Sequence, residues 1–250
     1  MKLLIGGALA TFATAAMANS LYNNGPFVTG TGNGFSGANT SAWTVFNTPQ
    51  GPIASNIGCN HGFFRVMEPF SVPMGQQWQL QEFASYAFRT TTSSVFPPVS
   101  SFVSMHIAIY NADPRTGALP IAGNFTTNRY TGSNWTGTYR VSPTLLTDRT
   151  RPIMEVRGDL AWAPTLSSGQ YWVEFGLQST SASSAVFAVG VSPVPANGMA
   201  RQRQVSNNQI FEWSPVTTAF EIRGTVVPEP MSLSALALGA LGVMRRRRVA

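Results

Sequence analysis

Between Gln170 and Gln178 apolar and polar side chains alternate: Tyr171, Val173, Phe175 and Leu177 fall on one side, and Gln170, Trp172, Glu174 and Gln178 on the other. A period of two sends successive side chains to opposite faces of a pleated strand, so this stretch reads as a strand with one face in a core. The pattern recurs. Val103, Met105, Ile107 and Ile109 oppose Ser104, His106 and Ala108, while Phe220, Ile222, Gly224 and Val226 oppose Glu221, Arg223 and Thr225. From 19 to 227 no segment of useful length carries the 3.6-residue period of a helix. Such a chain is confined to sheets, and two sheets facing each other bury those stripes.

Weaker signals fill in the rest. Gly62 to Met67 reads as a strand, and Gln77 to Leu80 starts another that slips phase before Tyr86-Ala87-Phe88, the signature of a β-bulge. Strands are also expected at 137–141, 153–157, 160–163, 185–191 and 209–213, with a turn at Asn111 to Gly117 where Asp113, Pro114 and Gly117 take turn-forming positions. The frequent Gly, Pro, Ser, Thr and Asn fit many short strands joined by turns. The expected fold is all-β: a single antiparallel β-sandwich of jelly-roll type over 61–227, preceded by a loosely packed Gly/Asn-rich lead-in at 19–60. A signal helix (1–18) and a C-terminal apolar helix within 228–250 are expected to flank it.

The two ends speak to location. Met1-Lys2, the apolar run from Leu3 and the small-residue site Ala16-Met17-Ala18 make a secretory signal, cut after Ala18 by a signal peptidase of the general secretion machinery. At the other end Val227-Pro228-Glu229-Pro230 precedes an apolar run from Met231 to Met244, and Arg245, Arg246, Arg247 and Arg248 follow. Fourteen helical residues span about 21 Å at ~1.5 Å each, short against a hydrocarbon core of ~30 Å. The arginines stay on the cytoplasmic side, which leaves the body outside. This tail resembles the PEP-CTERM sorting signal, the tag of exosortase substrates in bacteria. The resemblance implies transient retention in the inner membrane, processing by an exosortase near Pro228-Glu229-Pro230, and release or transfer to the cell surface, often alongside exopolysaccharide or biofilm matrix.

Removing the two ends changes the charge. Lys2 and Arg245 to Arg248 are five of the sixteen basic residues and Glu229 is one of ten acids, so 19–227 holds eleven against nine, a formal charge of +2. A nucleic-acid partner calls for a basic working domain, and none is expected. The single cysteine, Cys59, cannot close an internal disulfide and reads as a buried small hydrophobe.

Catalytic chemistry finds little footing. Cys59, His61 and His106 are too few for a metal site and no carboxylate stands at ligand spacing; no G-x-S-x-G elbow is present. No metal or cofactor is expected. Glu155 and Glu174 are the acids to inspect as a glycosidase pair, which needs a separation of ~5–10 Å. The better candidates are the tryptophans: Trp43, Trp78, Trp135, Trp162, Trp172 and Trp213. Trp172 with Glu174 and Gln178 on the polar face of one strand is the arrangement a sugar-stacking site would use. Arg201-Gln202-Arg203-Gln204 reads as a solvated loop whose two arginines share a side and suit an acidic polysaccharide. The expectation is a non-enzymatic surface or matrix protein with a structural or adhesive role associated with exopolysaccharide. The alternatives are a carbohydrate-binding module using surface tryptophan and a polysaccharide-active enzyme.

Overall fold

The computed structural model describes residues 19–48, 51–90, 95–181, 185–193 and 198–228. The described residues are all-β. In chain order the strands are β1 (Asn19–Asn23), β2 (Asn39–Ala42), β3 (Val45–Thr48), β4 (Gly51–Ala54), β5 (Asn56–Gly58), β6 (Phe64–Val72), β7 (Gln76–Arg89) and β8 (Phe102–Tyr110). There follow β9 (Ala122–Asn124), β10 (Tyr130–Val141), β11 (Pro152–Asp159), β12 (Gly169–Ser179), β13 (Val186–Val189), β14 (Ala200–Gln204), β15 (Ile210–Trp213) and β16 (Phe220–Pro228). The helical content described is two 3-10 turns, Phe35–Gly37 and Pro114–Thr116. The expected helices at both ends fall on 1–18 and 229–250, outside the described residues.

The larger sheet runs β1-β16-β7-β11-β10-β2, with β13 paired to β7 and β5 to β13. The smaller runs β15-β14-β6-β12-β8-β9, and β3 and β4 form a separate ribbon. Strand pairs are antiparallel except β2 with β10, which is parallel. At fourteen residues β7 is long enough to take two neighbours on one edge: β16 along most of its length, then β13 at Ala87, Phe88 and Arg89.

The apolar stripes meet between the sheets. Tyr171, Val173, Phe175 and Leu177 of β12 and Met105, Ile107 and Ile109 of β8 join one core with Trp78, Leu80 and Phe83 of β7, Val156 of β11 and Phe220 and Ile222 of β16. Phe83 of the larger sheet lies 5.0 Å, centroid to centroid, from Phe175 of the smaller. Each such side chain contributes about 1.5–3 kcal/mol on burial. The expected phase slip in β7 is a bulge: Arg223 of β16 pairs with Glu82 but Gly224 with Leu80, leaving Gln81 as the extra residue. Trp78 and Leu80 face the core before it, Phe83 and Ala87 after it. Opposite the bulge the backbones close in, and a Cβ on Gly224 would stand 2.2 Å from the Gln79 carbonyl oxygen.

Three expectations need correction. Residues 19–60 are no lead-in: β1 pairs with β16, β2 with β10 and β5 with β13, so this segment builds the larger sheet. Leu160 to Ala163 is a turn rather than a strand, closed by Ala163 N–H donating to the Leu160 carbonyl, and both residues are buried because the turn tucks into the core. Arg201 to Gln204 is no solvated loop. It is β14, inside the smaller sheet between β6 and β15, with Arg201, Gln202 and Arg203 buried.

Candidate functional site

The outer face of the smaller sheet holds the residues singled out on β12. Residues 108–125 contribute its cover: Ala118 and Phe125 pack with Met67, Ala108, Tyr110 and Trp172, and Ile121 N–H donates back to the Ile109 carbonyl. The expected open platform is therefore closed. Trp172 is 7% exposed, with the Arg201 guanidinium 4.1 Å from its ring centroid. Gln178 is half-buried and its Oε1 accepts from Ser104 Oγ at 3.2 Å.

Glu174 is fully buried and its carboxylate is held by three neighbours. Oε1 faces Arg65 Nε at 3.0 Å and Arg203 Nε at 2.9 Å, while Oε2 accepts from Arg203 Nη2 at 3.1 Å and Tyr110 Oη at 2.7 Å. Burial, then the Glu174 charge, pushes the Tyr110 phenol up. With three hydrogen bonds and the Arg65 ion pair on its two oxygens, the Glu174 carboxylate is committed to its neighbours, and it acts as a bracket joining β6, β8, β12 and β14. A cleft of about 480 Å³ lies above, with Arg65, Arg203, Asn124, Phe125 and Asn208 in its wall.

Glu155, the other acid of the expected pair, belongs to the other sheet. Arg223 gathers it with Glu82 and Glu221, Nη1 at 2.7 Å from Glu82 and Nη2 at 2.6 Å from each of the others. The flanking residues Val156 and Phe175 point into the core between the sheets, so Glu155 and Glu174 face away from each other. The structure does not bring them together.

Cys59 is buried in the core, which pushes its thiol well above the usual range. His61 and His106 do meet, on the outer face, their rings stacked 3.8 Å apart at 15°. Burial, His106 and Arg65 together hold the His61 pKa down at about 4, and burial lowers His106 as well. Two neutral rings stack without repulsion. Among the described residues no three His, Cys, Asp or Glu side chains are grouped to hold a metal.

A second cleft, also about 480 Å³, opens between β5–β13 of the larger sheet and β14–β15 of the smaller. Phe63, Phe64, Phe187 and Trp213 supply its rings, and Asn56, Asn60 and Gln202 its amides. Trp213 appears among the six tryptophans of the sequence, but its partners come from segments up to 157 positions away (Asn56 to Trp213), so no local pattern marks the cleft.

Of the sorting residues, Val227 and Pro228 end β16, paired with Gln77 and Gln76 of β7. Ala16, Ala18, Glu229, Pro230 and Arg245 to Arg248 lie outside the described residues. Among the described residues no helix is long and apolar enough to cross a membrane. No protein-family model matches this chain, and no curated protein matches it in sequence.

Proposed function

We propose that this protein is exported, retained briefly in the inner membrane by its tail, and processed by an exosortase near Val227-Pro228-Glu229-Pro230 for display at the cell surface or in the matrix. Its body is a jelly-roll type sandwich with a structural or adhesive role alongside exopolysaccharide. The observation that carries this reading is the junction of body and tail. β16 stays paired with β7 as far as Pro228, so a cut after Pro228 removes the apolar run and the arginines and leaves every described strand whole.

The use of charge in the body agrees. All nine acids between 19 and 227 have donors: Glu68, Glu82, Asp113, Asp148, Glu155, Asp159, Glu174, Glu212 and Glu221 each accept a hydrogen bond or an ion pair. Most of these carboxylates tie separate segments together, while Asp148 and Asp159 are held within their own turns. A second reading, a carbohydrate-binding module, is favoured by the aromatic cleft at Trp213 rather than by Trp172.

The test compares cells producing the full chain with cells producing a version that ends at Val227. The full chain is expected in the inner-membrane fraction first and at the surface later. The shortened chain is expected to cross the inner membrane with no membrane-bound stage. Identical distributions of the two would overturn the proposal.

A further inference from the structure

The Trp213 cleft combines two kinds of surface that one ligand chemistry needs together. A pyranose ring offers a patch of C–H groups on its face and hydroxyls round its edge. Aromatic faces accept the first, and fixed amides accept the second. Trp213 is half-buried in the wall, while Phe63 is 57% exposed. The volume of about 480 Å³ sits within the ~300–1,000 Å³ of ordinary small-molecule sites.

The amides are oriented by the fold rather than left to rotate. Gln202 Nε2 donates to the Gly58 carbonyl at 2.7 Å, which leaves Oε1 as the acceptor. Asn56 Oδ1 accepts from Arg140 Nε at 2.7 Å, which leaves Nδ2 as the donor. A hydroxyl both donates and accepts, so one acceptor and one donor held in place suit a pair of sugar hydroxyls. Trp213 Nε1 is closed to solvent and has no acceptor among the described residues, and a buried indole N–H ordinarily has one. Gly58 keeps this arrangement open, since a Cβ there would stand 3.0 Å from Gln202 Nε2.

None of the described residues lining it is charged. A sugar carboxylate would lose its hydration here with no cation to receive it. We infer that the cleft between β5–β13 and β14–β15 binds a neutral sugar unit of a polysaccharide, with Trp213 and Phe63 against the ring and Asn56 and Gln202 on its hydroxyls. This deepens the adhesive role proposed above and gives it a site.

The test is isothermal titration of the full chain, held in a zwitterionic detergent that carries no sugar. Its probes are neutral hexasaccharides of glucose, mannose, galactose and N-acetylglucosamine, with oligogalacturonate as the acidic comparison. At least one neutral hexasaccharide is expected to bind with a sub-millimolar Kd. Trp213→Ala and Phe63→Ala are each expected to weaken it tenfold or more, and Arg115→Ala, at the other cleft, to leave it unchanged. Phe63 stands exposed, so its truncation carries the test if the Trp213 variant fails to fold. Binding of none of the neutral sugars, preference for oligogalacturonate, or affinity indifferent to Phe63→Ala would overturn the inference. Each of these results would leave the sorting proposal standing, because sorting is read from the C-terminus and not from sugar affinity.

Discussion

Glu68 sits on the core side of β6 between Val66 and Phe70, fully buried. Nothing local in the sequence announces its donors. They come from a segment about 150 residues later: Thr217 Oγ, Thr218 Oγ and Thr218 N–H, with Asn24 Nδ2 bonded in turn to Thr217 Oγ at 2.7 Å. Burial nevertheless outweighs these donors and raises its pKa from 4.5 to about 7. A carboxyl raised in the folded state stabilises the fold while protonated. That contribution is complete below about 4.5 and is lost as pH rises through about 7. His61 runs the other way. Its folded pKa of about 4 lies below the usual 6.5, so its contribution is present above 6.5 and is lost as pH falls through about 4. The two oppose each other between about 4.5 and 6.5, and a single substitution separates them. Glu68→Gln is expected to match the parent protein in urea unfolding at pH 4.5 and to exceed it at pH 8 by roughly 3 kcal/mol, the order set by the raised pKa. A gain that is equal at both pH values would contradict this.

At the scale of elements, legibility followed the apolar stripe. β12 and β16 were readable because one face is apolar and the other polar, and the β7 bulge because the stripe changes phase at Gln81. β14 was not, since Arg201 and Arg203 look like solvent-facing residues until Asp113, Glu174 and the Trp172 ring meet them from other strands and turns. For the same reason β12 gave the right residues and the wrong exposure for a site: Trp172, Glu174 and Gln178 share a face, but the face is covered. β2 and β5 were hidden in a Gly/Asn-rich stretch whose anchor lies on β10. There the fully buried Arg140 reaches Ser41 Oγ at 2.7 Å and Ser55 O and Oγ at 2.7 and 2.6 Å. No carboxylate pairs with it among the described residues, and burial lowers its pKa to about 9. Arg140→Ala leaves these buried neutral acceptors unmatched, at about 1–3 kcal/mol for each such group, and opens a cavity. Hydrogen exchange is expected to show β2 and β5 losing protection well before β7 and β12. Uniform loss across both sheets would show that Arg140 is no local staple.

For the whole molecule, the division of labour is between a body that is nearly charge-balanced and internally bracketed and a tail that holds half of the net charge. Of the formal +6 of the chain, the body keeps +2. The body meets the tail at Pro228, where β16 ends, so processing there leaves the two-sheet core unaltered. The most direct measurement is mass spectrometry of the C-terminal peptide of protein recovered from the cell surface. The account predicts a new C-terminus close to Pro228-Glu229-Pro230, with the Met231 to Met244 run and Arg245 to Arg248 gone. Surface protein that still ends in Arg245-Arg246-Arg247-Arg248-Val249-Ala250 would contradict it.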